Sequence, residues 1–303
     1  MQVSGGMVLI AGGLSYLMTD MKNFVRKDIT NDSDQLFPLY PDEREILYLS
    51  SLAPSGHNTQ PWFVKYIEPY HWIICNDKSK WLPAVDPTQR ETILSIGAFI
   101  QNMEYAASHY GYCCQWNLLS GSNQDENIMQ ARLLKTTGTP AFDISKIKQR
   151  RTVRSKYLND ILKKEHLISL TAGEERYFHY VRRDTKEFHW LNEQTIGANR
   201  QQIYRDAAEK ELGDWIRFSN KDSTTASLLE TGKRLQRLLL QIREKGIAIH
   251  PMTQVLEENP FSQNVNRELA IMEPIQFILR CGYINNYPDP VSLRRPVKWF
   301  LRN

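Results

Sequence analysis

The stretch Leu52–Trp62, LAPSGHNTQPW, gathers short polar side chains that could contact a heterocyclic ligand. Ser55, Asn58 and Gln60 provide hydrogen-bond donors and acceptors, and amide side chains can pair with a ring that carries alternating N–H and C=O groups. Pro54 interrupts regular structure just before them. An irregular loop closed by a core tryptophan explains the same residues, so this stretch alone leaves both interpretations open.

A second cluster is strongly basic. KIKQRRTVRSKY, Lys146–Tyr157, contains six Lys or Arg residues. Arg150, Thr152 and Arg154 can lie on one side of a chain that enters a helix, where guanidinium groups and free backbone N–H groups suit a phosphate. A solvated basic surface has the same composition. Nucleic-acid binding is a third interpretation, but a net charge of +4 over 303 residues argues against it.

A third cluster, GIAIHPMTQVLE at Gly246–Glu257, surrounds a predicted turn. A glycine ends a helix there, and Pro251 begins a turn whose backbone is exposed to a ligand. His250 has the chemistry of a general acid or base, although a histidine beside a proline is more often structural. The later pair Arg294 and Arg295 would reinforce a phosphate site if the fold brought it to the basic cluster.

The bulk properties are those of a packed globular protein. The chain is 41% hydrophobic and 24% charged, and it is long enough for one large domain or two smaller ones. Its four cysteines lack metal-binding spacing, so we expect reduced, mostly buried thiols in the cytoplasm and no metal site. P-loop, GxGxxG, HExxH and GxSxG patterns are absent, which leaves hydrolase and nucleotide-triphosphatase interpretations without a supporting residue.

The N-terminal segment Gly5–Met18 is apolar and uncharged. Its fourteen residues are too few to span a bilayer comfortably, and no basic residue precedes them as in a signal peptide. A helix packed on the protein and a membrane anchor both stay open. We expect residues 1–40 to form an apolar or helical extension that would allow membrane association.

Residue periodicity predicts the elements that position these clusters. Residues 41–52 have the spacing of an amphipathic helix with an acidic first turn. Residues 63–76 alternate as two strands joined by a turn at Glu68-Pro69. Glu91–Tyr112 has apolar or small residues at helical spacing, which predicts a central, largely buried helix.

The second half of the chain resembles the first. Lys164–Leu191 repeats an order of helix, loop, strand, turn and strand, and its His189-Trp190 follows His71-Trp72 by 118 positions. Glu230–Ile249 matches the central helix through three pairs that are each 135 positions apart: Gly97 and Gly232, Gln101 and Gln236, Gly111 and Gly246. The offset grows by 17, which predicts an insertion within residues 192–227. Coincidence between similar helices is the alternative, but two matches in the same order favour duplication.

These patterns predict an α+β fold made of two related halves, residues 41–140 and 141–303. We expect the halves to join near residues 120–148, where GSNQDENI supplies a polar loop. The two related central helices would bury each other.

Taken together, APSGHNTQPW, RRTVRSKY, GIAIHPMT and the terminal RRP resemble the nitroreductase superfamily of FMN-dependent flavoproteins, over about residues 40–300. The motif order and tandem halves are similar to its Acg-like tandem-domain subgroup. This resemblance implies a nitroreductase-like fold in which the halves form a pseudo-dimer around the central helices and hold a single FMN. The chain would then be a monomer or would associate as a homodimer.

The resemblance also implies roles for individual residues. The phosphate and ribityl contacts would be Arg150, Thr152 and Arg154, with Arg294 or Arg295 as the C-terminal phosphate ligand. The loop along the flavin ring would comprise Pro54, Ser55, Asn58 and Gln60. The turn whose backbone amides approach the N5 and O4 edge would comprise Pro251, Met252 and Thr253. Trp62 would pack in the core beneath the loop, and no catalytic side chain is implied.

The implied activity is hydride transfer from NADH or NADPH through flavin N5 to a nitro, quinone or similar small-molecule acceptor. No nucleic acid takes part. The insertion near residues 192–227 corresponds to a lid in Acg-type proteins. A flavin-storage protein with a covered FMN and little turnover is therefore the alternative.

Overall fold

The computed structural model describes residues 39–83, 86–138, 141–154, 157–203, 224–258, 260–271 and 273–303. The apolar segment Gly5–Met18 and residues 204–223 of the predicted insertion lie outside these ranges. Within them, no helix is both long enough and apolar enough to cross a bilayer.

The first half begins with the predicted helix and hairpin. Helix α1 spans Pro41–Ser51, with proline in its first turn and the Glu43 carboxylate accepting a bond of 2.9 Å from the Tyr40 N–H. This bond satisfies a donor that the helix itself cannot pair. Strands β1 (Trp62–Glu68) and β2 (His71–Asn76) pair antiparallel, as the alternating sequence predicted.

Five strands form the main sheet, in the order β3-β4-β2-β1-β7. Strands β3 (Tyr112–Leu118) and β4 (Asn127–Lys135) are an antiparallel hairpin, and β7 (Leu301–Arg302) runs parallel to β1. GSNQDENI lies in the β3–β4 connection and enters β4, so the prediction that it joins the two halves is wrong. Its polar residues form the connection of a hairpin whose two strands, β3 and β4, belong to the same sheet.

Helix α2 (Arg90–His109) is the predicted central helix, and most of its residues are buried. It packs against α6 (Thr225–Gln241). A Cβ atom on Gly97 would overlap the carbonyl oxygen of Leu229, and one on Gly232 would overlap that of Leu94. The two helices therefore approach through their backbones at two reciprocal points, and the expectation that they bury each other is confirmed.

The strands predicted for the second half between residues 177 and 190 are wrong. Helix α3 spans Ser145–Gln149, α4 spans Lys164–Thr171 and α5 spans Lys186–Ile203. Trp190 lies in α5, whereas Trp72 lies in β2, so the match at an offset of 118 is not a structural equivalence. The helical form buries Ala198 and packs Trp190 in an apolar cluster with Val255, Leu256 and Val265, which a strand would not reach.

The remaining elements complete the second half. Strands β5 (Ile247–Pro251) and β6 (Leu279–Tyr283) form a separate antiparallel pair. Short helices α7 and α8 span Val265–Glu268 and Val297–Phe300. The main core lies between the five-stranded sheet and helices α1, α2 and α6. Fully buried Trp62 packs there with its ring centre 5.1 Å from that of Phe99, which confirms its predicted core role.

Candidate functional site

The loop after α1 has an unusual backbone. His57, Asn58 and Gln60 adopt left-handed φ angles of 49°, 62° and 51°. Each such residue other than glycine costs about 1–2 kcal/mol, so the surrounding structure must hold the loop. Part of that support is local, because the Ser55 hydroxyl accepts a bond of 3.0 Å from the Gln60 N–H. Strain of this kind is concentrated at functional sites.

The rest of the support comes from the C-terminal segment. Asn58 Nδ2 donates to the Leu293 carbonyl at 3.0 Å, and the Arg294 guanidinium donates to Asn58 Oδ1. The Arg295 N–H donates to Gln60 Oε1 at 2.8 Å, and its side chain donates to the carbonyls of Gln60 and Trp62. The structure thus brings together the predicted loop and the predicted arginine pair. The amide side chains that the sequence assigned to the flavin are engaged in these internal bonds.

Asp77 anchors this arrangement. It is buried and lies 2.9 Å from Arg302 and 3.5 Å from Arg295. Burial acts to raise the pKa of Asp77, but hydrogen bonding from Ser79 and the two arginine charges outweigh it, so the pKa lies below its usual value. The Arg295 guanidinium is therefore committed to a carboxylate and two carbonyls. These contacts favour a structural role over the predicted phosphate contact.

The described residues 150–154 of the basic segment are not helical, contrary to the prediction of a chain that enters a helix. Arg150 follows the last residue of α3 and has an extended backbone, so no helix N-terminus faces a phosphate there. The reason is that α3 buries Ile147 and ends before the arginines begin. Arg150 is only 5% exposed, and its charge acts on Tyr287. Arg154 is exposed, and Thr152 is half-buried.

Arg154 lies beside the start of the predicted turn. His250 and Arg280 face each other across the β5–β6 pair, and Arg154 acts electrostatically on His250. Burial, then Arg154 and Arg280, lower the pKa of His250 to about 4. His250 is consequently neutral at physiological pH, and the neighbourhood carries an excess of positive charge. The basic segment and the turn at Pro251 are thus neighbours. They are the second pair of predicted motifs that lie together, after the loop and the C-terminal arginines.

The turn itself is a strand end followed by one turn of 3-10 helix, Thr253–Leu256. Pro251 has no N–H, and the Met252 N–H donates to the Ile278 carbonyl at 2.7 Å. Pro251 and Met252 therefore have no free N–H group to offer a ligand. Pro251 and Met252 are half-exposed, so the turn reaches the surface.

Helix α2 links the two pairs of motifs. The Gly56 N–H of the loop donates to Ser95 Oγ at 3.3 Å, and Arg90 Nε donates to Gln276 Oε1 at 2.8 Å. Gln276 precedes by two residues the carbonyl that pairs with Met252. Residues 90 and 95 are about 7.5 Å apart along a helix axis. The loop and the turn therefore flank the first turns of α2.

Sequence reasoning missed Arg90 and Gln254 at this place. Arg90 is 1% exposed and Gln254 is 7% exposed. Nη1 and Nη2 of Arg90 and Oε1 of Gln254 have no hydrogen-bond partner in the part of the chain that the structure describes. The available signal was an arginine at the first turn of an otherwise apolar helix, where a solvent-exposed role is not expected.

The cysteines lie elsewhere. Cys75 is buried, and burial raises its thiol pKa to about 12, whereas Cys113 is exposed, contrary to the expectation of mostly buried thiols. Cys113 faces outward because side chains alternate along β3, and its neighbour Tyr112 takes the buried face. Among the described residues, no group of three or more His, Cys, Asp or Glu side chains is placed to hold a metal ion.

Comparison with known proteins gives a partial match. No protein-family model matches the chain. Over 121 residues the chain is 26% identical to the "Probable NAD(P)H nitroreductase PigM" of Serratia sp. (strain ATCC 39006). The match covers 38% of this chain and 34% of that protein, so it spans about a third of the relative's length. The chain is therefore similar, over part of its length, to a protein named as a nitroreductase, and its own fold combines a mixed sheet with several helices.

Proposed function

We propose that this protein is an FMN-dependent NAD(P)H oxidoreductase of the nitroreductase type, with one flavin site between its two halves. The observation that carries the proposal is the meeting of loop and turn at the start of α2. Ser95 holds the loop of the first half, and Arg90 holds the segment of the second half that pairs with the turn. A ligand at this place would touch both halves, as the family resemblance implies.

The residues present fit FMN. A phosphate requires positive charge, and the basic segment supplies the buried Arg150 and the exposed Arg154. Arg154 and a further cation, Arg280, lie near His250, which is neutral. A flat ring requires a rigid wall, and the strained Ser55–Gln60 loop is held in place by the C-terminal segment. We assign the phosphate to Arg150 and Arg154, with Thr152 on the ribityl chain, and we assign Arg295 to holding the loop.

The pseudo-dimer part of the proposal is supported by paired contacts between α2 and α6. Gln236 Nε2 donates to Asn102 Oδ1 at 2.6 Å, and Arg237 Nη1 donates to Gln101 Oε1 at 2.6 Å. An offset of 135 residues exchanges the two contacts, since it carries Gln101 to Gln236 and Asn102 to Arg237. Gly97 and Gly232 obey the same exchange. Local twofold symmetry of this kind is expected when one chain imitates a dimer.

FMN, when bound, would supply the ring that accepts a hydride from reduced nicotinamide and passes electrons to a nitro or quinone acceptor. The chain's own residues would bind and orient this group: arginines neutralise its phosphate, and the loop fixes its plane. The turn adds the Thr253 amide. No side-chain acid or base is required, which agrees with a site where His250 is neutral and half-buried.

The test is a steady-state assay on purified protein supplied with FMN. Oxidation of NADH or NADPH that depends on both flavin and a quinone or nitroaromatic acceptor is the expected result. In Arg154→Ala, flavin affinity should fall about tenfold or more, because a charge-assisted hydrogen bond is lost. Arg267→Ala, at an exposed position outside the site, is the matched control. Tight flavin binding with no oxidation by either nucleotide would refute the oxidoreductase.

One observation favours the alternative, a flavin held under a lid with little turnover. Helix α5 overlaps the predicted insertion from residue 192 onwards and packs on the 3-10 turn, with Ala198 fully buried in one apolar cluster with Val255 and Leu256. If α5 covers the flavin, Ala198→Asp should detach it and speed reduction of the flavin by dithionite. Ile196→Asp, at a position 45% exposed, is the control. Equal reduction rates in both variants and in wild type would dispose of the lid.

A further inference from the structure

The unpartnered nitrogens of Arg90 require an explanation. The side chain is 1% exposed, its Nε is bonded to Gln276, and its guanidinium lies over the Phe277 ring at 5.9 Å. Nη1 and Nη2 donate to nothing in the part of the chain that the structure describes. A buried donor that makes no hydrogen bond costs about 1–3 kcal/mol of folding stability. Buried polar groups in folded proteins are almost always satisfied, so these two await an acceptor.

A complementary acceptor lies on the facing turn. Gln254 is 7% exposed, and its Oε1 is buried and unpartnered among the described residues. Arg90 bonds to Gln276, and the carbonyl of Ile278, two residues on, pairs with Met252 at the start of this turn. The unsatisfied donors and the unsatisfied acceptor thus lie on the two elements that the segment of residues 276–278 connects.

The charges around Arg90 restrict the ligand. Asp86, Glu91 and Glu257 all act electrostatically on the guanidinium. Three carboxylates against one guanidinium leave a negative excess, which disfavours a phosphate or a carboxylate ligand. The suitable ligand is neutral or cationic, and it presents a carbonyl oxygen and an N–H group side by side. A primary carboxamide attached to a ring has this chemistry.

Resting on the proposed function, we infer that Arg90 and Gln254 bind the carboxamide of the nicotinamide ring. Arg90 donates to the carboxamide oxygen, and Gln254 Oε1 accepts from its NH2 group. Pro251 and Met252, close to Gln254 in the chain, are half-exposed, so the turn is near the surface. The pair positions the donor nucleotide, and it takes no part in bond breaking. A flavin also carries adjacent C=O and N–H groups, so the experiment must separate the two sources.

The experiment compares the equilibrium binding of two oxidised dinucleotides to the flavin-loaded protein by calorimetry. NAD⁺ carries a carboxamide, whereas its 3-acetylpyridine analogue keeps the carbonyl and replaces NH2 with CH3. Wild type should bind NAD⁺ about tenfold more tightly, the value of one hydrogen bond to a buried group. Gln254→Leu should abolish that preference. Arg90→Met should weaken both ligands about equally, since both keep the carbonyl.

Matched controls are Gln124→Leu and Arg267→Met, which alter the same residue types at exposed positions. They should leave both affinities and the preference unchanged. If Arg90→Met does not fold, the Gln254 variant alone decides the outcome. A preference that survives Gln254→Leu, or that is absent in wild type, overturns the inference.

Two further outcomes separate the inference from the proposed function. If the variants lose flavin affinity while dinucleotide discrimination persists, the amide edge belongs to the flavin and the inference is wrong. If the protein binds no flavin but discriminates the dinucleotides through Gln254, the inference stands and the proposed function fails.

Discussion

The two central helices, α2 and α6, are alike in the residues through which they contact each other. The elements that follow them differ. Each has a glycine at which the partner's backbone approaches, and a left-handed glycine, Gly111 or Gly246, follows each helix and leads into a strand. Beyond those strands the halves diverge, since β3 and β4 extend a five-stranded sheet while β5 and β6 stand alone. A contact between two backbones tolerates no added side-chain atom, whereas elements at the periphery can change in type and length. The duplicated pattern is therefore clearest at the helix pair.

The largest loss of stability is expected when one methyl group is added at the contact between α2 and α6. Gly97→Ala and Gly232→Ala should each destabilise the protein by about 3 kcal/mol or more, because the new Cβ overlaps backbone rather than a movable side chain. Chemical denaturation followed by circular dichroism measures the effect. Gly121→Ala, where no atom lies within 4 Å of the added Cβ, should change little. Unequal costs at the two helix positions would contradict the reciprocal contact.

Breaking the anchor between the C-terminal segment and the first half should have the next largest effect. Asp77→Asn removes the charge that faces buried Arg295 and should cost about 3 kcal/mol at pH 7. Asp184→Asn, which removes an exposed partner of Arg182, should cost far less, because water screens this ion pair. Denaturant titration compares the two variants. Similar small losses would show that the loop does not depend on this anchor.

The same anchor has a pH signature. The folded pKa of Asp77 lies below its usual value of 3.8, so its contribution is present above that value and is lost as the pH falls through the folded pKa. Stability of Asp77→Asn should therefore fall less than that of wild type between neutral pH and the acid range. Parallel acid profiles would contradict the assignment.

The two left-handed glycines test whether the ends of α2 and α6 are equivalent. Gly111 has a φ of 76° and Gly246 a φ of 64°, and neither added Cβ would meet an atom closer than 3.9 Å. Replacement by alanine should therefore cost about 1 kcal/mol at each, from backbone conformation alone. Thermal unfolding of the two variants should show matching shifts. A much larger effect at one position would mean that the helix ends are not equivalent.

The smallest expected difference concerns His250, whose counterpart 135 positions earlier is Gln115. The folded pKa of His250 is about 4, below the usual 6.5, so the unfolded chain takes up the proton first. Stability due to neutral His250 is complete above pH 6.5 and declines as the pH falls towards 4. His250→Gln should flatten this decline in denaturation experiments at stepped pH. An unchanged slope would contradict the cationic surroundings.

The sequence predicted local elements and motifs better than it predicted their contacts. Helix α1, the β1–β2 hairpin, α2 and the burial of Trp62 follow from periodicity, which reflects one buried face. The second-half strands failed because alternating residues near Trp190 also suit a helix whose apolar face has a partner. The roles of Asn58 and Gln60 could not be derived, because their partners lie more than 230 residues away. Arg90 was missed because its partner, Gln276, lies 186 residues away in the sequence.

The central claim, one flavin bound between the two halves of one chain, is tested most directly by the visible absorption spectrum of the purified protein. We expect a flavin band with one FMN per chain, which bleaches when NADH or NADPH is added without oxygen. A band that persists after the nucleotide is added would support the lid-covered alternative. Two flavins per chain, or no band after incubation with FMN, would contradict the account.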